Sequence, residues 1–249
     1  MSFFSRTRRL RAAHVATGAL LTLCAAAAGI RAQDDPPGPA AAGALAAFPL
    51  EFDSEAIHLR VVGDSVEVDG TYWLVCHAAA GTTHLVYPFP ADPRMGGARA
   101  VRMEVRAPAG PWIPLEHDML PNGAACRFQV PLLAVDTLEF HAVYRQALLE
   151  NYARYIVTTT RAWGKPLRRA LFTITLPPGA EILKASYAFT PAEAEACAAN
   201  AGGRAPAGSA ASAARTAAPE PEQAPGSRCY SFQARMFWPA EDILVEWSQ

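Results

Sequence analysis

The chain has 249 residues, of which 51% are hydrophobic and 18% are charged, with 22 basic and 23 acidic side chains. Five of the basic residues and none of the acidic ones lie before residue 33, so the rest of the chain is net acidic. That part contains scattered arginines and only two lysines. It lacks the one-sided basic surface that binding to a phosphate backbone requires, which excludes nucleic acid as an expected partner.

The N-terminus has the pattern of an export signal. Four arginines and no acid occupy residues 1–12, and an Ala-rich apolar run follows at 15–30. This run is shorter than the roughly 20 strongly apolar residues of a membrane span. Cleavage after Ala32 would remove a signal peptide at 1–32, so we expect a periplasmic or extracellular protein that contacts the membrane only through its signal.

Two other export routes fit less well. Cys24 follows Leu23, whereas lipoprotein processing requires a small residue before the cysteine, so lipidation is disfavoured. A partial twin-arginine signal at residues 7–10 is followed by Arg11 instead of an apolar residue. The sequence therefore favours the ordinary secretory route.

Residues 33–49 are rich in Pro, Ala and Gly and indicate a flexible linker, so we expect the fold to begin near Leu50. Period-two alternation of apolar residues then recurs, which is typical of half-buried strands. It predicts eleven or twelve strands, no amphipathic helix, and core positions for Trp73, Trp238 and Trp247. The alternating runs lie at 57–61, 101–105, 128–132, 138–144, 172–176, 230–238 and 243–247.

Short strands separated by frequent turns favour an all-β fold, an antiparallel β-sandwich of immunoglobulin-like type. About 200 ordered residues would suffice for one large sandwich or two tandem ones. The best break lies near residues 148–151, which would divide the chain into halves or domains at 50–148 and 149–249.

Four cysteines remain after signal removal, and in an exported chain they indicate up to two disulfides. Their surroundings favour pairing Cys76 with Cys126 and Cys197 with Cys229, although free buried thiols are the alternative. Residues 191–228 contain no Val, Ile, Leu, Met, Phe, Tyr or Trp, which predicts a disordered insertion. A disulfide between Cys197 and Cys229 would close its base, worth about 3–4 kcal/mol in a chain-entropy model.

Candidate ligand-binding residues are few. If residues 75–87 form a hairpin, His77 and His84 lie opposite each other with Cβ atoms roughly 5 Å apart, close enough to share a metal ion. No further ligand is evident, and a solvated histidine pair is the alternative. Trp112 in a Pro-flanked loop and Trp163 at the tip of a hairpin over 152–176 are candidate binding aromatics, unless they pack as caps on the sandwich ends.

Two segments carry a resemblance. The sequence YIVTTTRAWGKPL at 155–167, together with VYPFP at 86–90, resembles bacterial exported β-sandwich proteins of unknown function, which have a Tyr-Pro-Phe-Pro strand end and a Thr-Thr-x-x-Trp hairpin. The resemblance implies a fold and a compartment. It implies no activity or catalytic residue.

The chain contains no nucleophile elbow, zinc-peptidase helix, phosphate-binding glycine loop or EF-hand. We therefore expect a non-enzymatic envelope module without a cofactor, acting by contact with a protein or a carbohydrate. The alternatives are an exported hydrolase with a site built from loops and a periplasmic metal-binding protein. A hydrolase would need a concave pocket with convergent ionisable groups, whereas a contact module would show a flat aromatic patch.

Overall fold

The structure is a computed structural model that describes residues 48–78, 80–121, 123–193, 197 and 226–248. The expected signal peptide, nearly all of the linker and most of the insertion lie outside these residues. Among the residues described, no helix is both long and apolar enough to cross a membrane.

The described residues are mostly β-strand, and the first strand begins at Leu50, where the sequence predicts it. A six-residue 3₁₀ helix at Thr158–Trp163 separates the ninth and tenth strands. The strands are β1 (Leu50–Val62), β2 (Ser65–Cys76), β3 (Gly81–Pro88), β4 (Met95–Arg106), β5 (Ile113–Pro114), β6 (His117–Met119), β7 (Ala125–Leu132), β8 (Thr137–Leu148), β9 (Tyr152–Tyr155), β10 (Leu167–Leu176), β11 (Ile182–Ala185), β12 (Thr190–Ala192), β13 (Arg228–Phe237) and β14 (Ile243–Trp247).

Eight strands form the large sheet, in the order β12-β13-β10-β1-β2-β8-β4-β5. β1 pairs with β2 in antiparallel fashion and with β10 in parallel, so strands from both sides of the predicted domain break share one sheet. The predicted all-β class is confirmed. The immunoglobulin-like arrangement is not confirmed, because the large sheet has eight strands and includes a parallel pair, which also corrects the purely antiparallel expectation.

Two three-stranded sheets complete the fold. The first small sheet has the order β3-β7-β6 and the second has the order β11-β14-β9. Phe128 of β7 stacks on Phe140 of the large sheet with ring centroids 5.1 Å apart, and Tyr155 of β9 packs on Phe172 at 6.1 Å. Register places both partners on one face of the large sheet, so the two small sheets cover that face side by side.

The opposite face of the large sheet is polar, which is why apolar and polar residues alternate along its strands. Arg106 donates to Glu139 at 2.7 Å, and buried His141 bonds Asp69 at 2.7 Å and Glu104 at 2.8 Å. These pairs join neighbouring strands across the sheet.

Two predicted hairpins are wrong. Residues 75–87 include the end of β2 and most of β3, yet β2 pairs with β1 and β8 while β3 pairs with β7. Residues 152–176 include β9, which pairs with β14, and β10, which pairs with β1 and β13. A period-two pattern shows which face of a strand is buried, but not which strand lies beside it.

The segment after β9 is a 3₁₀ helix, although its threonines suggest a strand. Asp242, buried just before β14, accepts hydrogen bonds from the backbone N–H of Val157 at 3.2 Å and of Thr158 at 3.1 Å. It also accepts from the Thr158 hydroxyl at 2.7 Å and from Arg154 at 2.6 Å. The tertiary contact with Asp242 thus supplies partners for backbone groups that a strand ladder would otherwise use.

Cys197 and Cys229 form a disulfide, as the sequence predicts. The pairing of Cys76 with Cys126 is wrong, since both thiols are free. Cys126 faces the core with its Sγ 3.6 Å from the Met103 Sδ, whereas Cys76 ends β2 beside Leu50.

Two finer expectations also need correction. Both ends of the insertion predicted at 191–228 are strands, since β12 extends to Ala192 and β13 begins at Arg228. Trp238, expected in the core, is 45% exposed because the buried position at the end of β13 falls on Phe237; Trp247 is buried and Trp73 is partly buried.

Candidate functional site

Three buried tyrosines meet where the two small sheets join over the large sheet. Tyr72 comes from β2, Tyr87 from β3 and Tyr155 from β9. The Tyr72 hydroxyl lies 2.6 Å from that of Tyr87 and 2.9 Å from that of Tyr155. This tyrosine cluster therefore links all three sheets through hydrogen bonds.

A carboxyl group ends the cluster. Glu55 lies directly opposite Tyr72 in the β1–β2 register and shares its face with Ile57 and Leu59, so its side chain enters the core. The residue is only 1% exposed. The Tyr155 hydroxyl donates to its Oε2 at 3.4 Å, and its Oε1 has no hydrogen-bond partner among the described residues.

The hydrogen bonds of the cluster run in one direction, because each tyrosine hydroxyl has a single proton to donate. When Glu55 is ionised it can only accept, so Tyr155 donates to it and Tyr72 must donate to Tyr155. Tyr87 must then donate to Tyr72. The chain of donors ends at Glu55, whose second oxygen is left for another partner.

The site is uncharged at neutral pH. Burial raises the pKa of Glu55 to about 8, and the hydrogen bond from Tyr155 offsets only part of that effect. Burial likewise holds the pKa values of Tyr72, Tyr87 and Tyr155 well above the ordinary value of 10. At pH 7 the carboxyl is therefore mostly protonated and all three hydroxyls are neutral.

A cavity of about 90 Å³ lies against Glu55 and the tyrosine cluster. Its volume equals that of roughly three water molecules in the liquid. Val86 and Thr159 in its wall are solvent exposed, so the cavity opens between the end of β3 and the 3₁₀ helix. Its lining consists of Phe52, Glu55, Tyr72, Leu74, Leu85, Val86, Tyr87, Pro88, Phe128, Phe140, Tyr155, Ile156, Thr159, Thr160 and Trp163.

Gly70 makes room for the cluster. It precedes Tyr72 by two positions on the same face of β2, and a Cβ there would lie 2.8 Å from the Tyr72 Cζ and closer still to its hydroxyl. The Tyr72 ring therefore folds back over Gly70, and any larger residue would displace the hydroxyl from the cluster.

The histidine pair is not assembled as predicted. His77 follows β2 and bonds the Glu51 carboxylate at 3.0 Å, while His84 on β3 accepts from Gln129 of β7 at 3.0 Å. They do not face each other in a hairpin, since β2, which His77 follows, and β3, which contains His84, belong to different sheets. Within the described ranges, no group of three or more His, Cys, Asp or Glu side chains is arranged for a metal ion.

The two candidate tryptophans lie in different places. Trp163 is the last residue of the 3₁₀ helix rather than a hairpin tip; it lines the cavity and packs against Phe52 at 5.9 Å. Trp112 is partly buried on the outer face of the large sheet, against the His141 ring at 5.4 Å and under the Arg106 guanidinium at 4.2 Å. Binding by either ring stays a prediction.

A larger groove of about 480 Å³ runs beside Gly63, Leu149 and Pro177. Its acidic residues, Asp64 and Glu150, are solvent exposed. A solvated carboxylate is already fully hydrated, so this groove offers a ligand less than the buried carboxyl of Glu55.

Sequence reasoning missed Glu55 and Tyr72 as site residues, although a signal was present. Glu55 occupies the same phase of the alternation as Ile57 and Leu59, which places an acid on the core face of β1. An acidic residue in the phase of a buried strand face predicts either an ion pair or a functional carboxyl.

No protein-family model matches the chain, and no curated protein matches it either. A candidate nutrient-binding protein from Legionella pneumophila has a similar structure, with a TM-score of 0.50 and 12% identity over 80% of this chain and 67% of that one. This likeness shows a shared fold.

Two peptidases align less closely. An M1 zinc metallopeptidase from Deinococcus radiodurans has a TM-score of 0.43 and 15% identity over 80% of this chain and 42% of the peptidase. A candidate protease from Parabacteroides distasonis has a TM-score of 0.39 and 12% identity over 81% and 40%. The chain spans about two fifths of the length of each.

Proposed function

We propose that this chain is an exported, non-enzymatic binding module that takes a small group of its ligand into the cavity at Glu55. One observation carries the proposal: Glu55, a buried acid with an unpartnered carboxyl oxygen, is among the residues that line an aromatic cavity with solvent-exposed wall residues. Leaving a buried polar atom unpaired costs about 1–3 kcal/mol, a cost that a ligand would remove.

Binding fits this cavity better than catalysis does. Among the residues that line it, Glu55 is the single carboxyl, and no histidine, cysteine or lysine accompanies it. The tyrosines stay neutral because burial raises their pKa values, so they supply hydrogen bonds but no base. Acid–base or nucleophilic catalysis would need a second group of suitable pKa within reach.

The two segments that resemble exported β proteins also wall the cavity. Val86, Tyr87 and Pro88 come from the first segment, and Tyr155, Thr160 and Trp163 come from the second. We extend the proposal to those proteins: the shared residues would build the same binding cavity.

Export itself is supported by the N-terminal signal pattern and by the disulfide between Cys197 and Cys229. When the full chain is produced in an exporting bacterial host, we expect the recovered protein to begin at Gln33. Its mass should be lower by two hydrogen atoms than that of the reduced protein, because it contains one disulfide. Intact mass spectrometry with and without reductant measures both. Recovery of the unprocessed chain from the cytoplasm would contradict export.

Blocking the mouth of the cavity is expected to abolish binding. Thr159→Phe adds a ring at an exposed residue of the cavity wall and leaves Glu55 and the three tyrosines unsubstituted. Thr82→Phe makes the same change at an exposed position of β3 that does not line the cavity, and serves as the control. The measurement is an NMR titration with propan-1-ol, n-propylammonium and propionate, each of four or five heavy atoms, followed at the Trp163 indole.

We expect at least one probe to give a saturable shift in the unsubstituted protein and in Thr82→Phe, with binding at least tenfold weaker in Thr159→Phe. If no probe binds, or if Thr159→Phe binds as tightly as the control, the cavity is not a binding site and the proposed function fails.

A further inference from the structure

We infer that the group taken up at Glu55 is a small organic ammonium ion, held by the carboxylate and by the aromatic walls of the cavity. This inference rests on the proposed function and names its ligand class. It starts from Glu55, which lines the cavity and whose buried Oε1 has no hydrogen-bond partner among the described residues. An N–H donor of the ligand would complete the hydrogen bonding of the carboxyl, whose other oxygen already accepts from Tyr155.

The walls have the composition that cation recognition uses. Seven aromatic residues line a cavity of about 90 Å³, and ring faces carry negative electrostatic potential that attracts ammonium groups. Phe52 packs against two of the other rings, with its centroid 5.7 Å from that of Tyr72 and 5.9 Å from that of Trp163. The rings provide an apolar surface for the carbon atoms next to the nitrogen.

If Glu55 ionises, no residue that lines the cavity supplies an opposite charge. The other hydroxyl-bearing residues that line the cavity are neutral: Tyr72 of β2, Tyr87 of β3, Tyr155 of β9 and Thr159 and Thr160 of the 3₁₀ helix. No arginine, lysine or histidine lines it. Glu55 is thus a potential anion without a protein counter-charge, so a ligand cation would be its first ionic partner.

Binding of an ammonium ion requires Glu55 to ionise. The protonated carboxyl releases its proton to the buffer, and the resulting carboxylate pairs with the ligand nitrogen, which keeps its own proton. One proton therefore leaves for each cation bound. Below the pKa of Glu55, about 8, the dissociation constant should fall tenfold for each unit that the pH rises.

The test compares n-propylammonium with propan-1-ol, which has the same number of heavy atoms and no charge. A four-atom ligand binds at best weakly, so millimolar dissociation constants are expected. NMR titrations at pH 6 and pH 7 are performed on the unsubstituted protein and on Glu55→Gln. Glutamine keeps the shape and the acceptor for Tyr155 but cannot ionise.

We expect n-propylammonium to bind about tenfold more tightly at pH 7 than at pH 6, and at least tenfold more weakly to Glu55→Gln at pH 7. Propan-1-ol should show neither change. The ammonium inference is overturned, while the binding function stands, if propan-1-ol binds more tightly than n-propylammonium at pH 7. It is also overturned if n-propylammonium binding changes neither with pH nor with Glu55→Gln. If none of the three probes binds, or if Thr159→Phe binds them as tightly as Thr82→Phe does, both the binding function and the ammonium inference fail.

Discussion

The effect of Glu55→Gln on the free energy of unfolding is expected to be more stabilising at pH 8 than at pH 5, by about 3–4 kcal/mol. The pKa of Glu55 is raised by burial from 4.5 to about 8 on folding. Between these values the folded state holds a proton that the unfolded state has released. The free energy of unfolding therefore falls as pH rises, by about 1.4 kcal/mol per unit, and glutamine removes this loss.

The measurement is urea unfolding of both proteins at pH 5, 6, 7 and 8. Glu116→Gln, at an exposed glutamate, serves as the control and should follow the unsubstituted protein throughout. His58 also titrates: burial lowers its pKa to about 4, so stability is lost as pH falls below about 6.5. Comparing variants at one pH cancels this contribution. Parallel curves for Glu55→Gln and the unsubstituted protein would show that Glu55 is not buried as a neutral acid.

Asp242→Ala is expected to destabilise the fold by about 3 kcal/mol and to release the 3₁₀ helix. Asp242 is 8% exposed and accepts from two backbone N–H groups, one hydroxyl and Arg154. Without its carboxylate, the buried N–H of Val157 loses its partner. Because the helix carries Thr159, Thr160 and Trp163, the wall of the cavity should loosen as well.

Chemical denaturation measures the change in stability, and Trp163 fluorescence reports on the helix. Asp118→Ala removes an exposed aspartate and serves as the control. It should lower the free energy of unfolding by less than about 0.5 kcal/mol, as most surface substitutions do. Burial raises the pKa of Asp242, but hydrogen bonds from Thr158 and Arg154 outweigh it, so the net pKa is lowered. Its stabilising effect is therefore present above the unfolded pKa and is lost as pH falls through the folded value. An Asp242→Ala variant as stable as Asp118→Ala would contradict this role.

Much of the fold could be predicted from local patterns. Alternation over 57–61, 138–144 and 172–176 corresponds to β1, β8 and β10, whose apolar faces form one core. The start of β1 at Leu50 follows from the end of the Pro-rich segment. These features are local because the pleat of a strand repeats every two residues, whatever its partner.

The candidate site was partly visible in the sequence. The phase of Glu55 within β1 marks a buried acid, and Gly70 two positions before Tyr72 indicates close packing on β2. The histidine pair was misplaced because it depended on a hairpin register, and β3 pairs with β7 instead. The disulfide between Cys76 and Cys126 was wrong for a related reason, since nothing local specifies the distance between thiols in different sheets.

By itself, the sequence determined the all-β class and the buried faces of β1, β8 and β10. The tertiary structure alone decided that β1 lies parallel to β10, that the two small sheets meet over β2, and that Tyr72, Tyr87 and Tyr155 join Glu55. The physical reason is the range of the interactions. Side-chain alternation is a property of a single strand, whereas hydroxyls from residues up to 83 positions apart converge only after the sheets have packed.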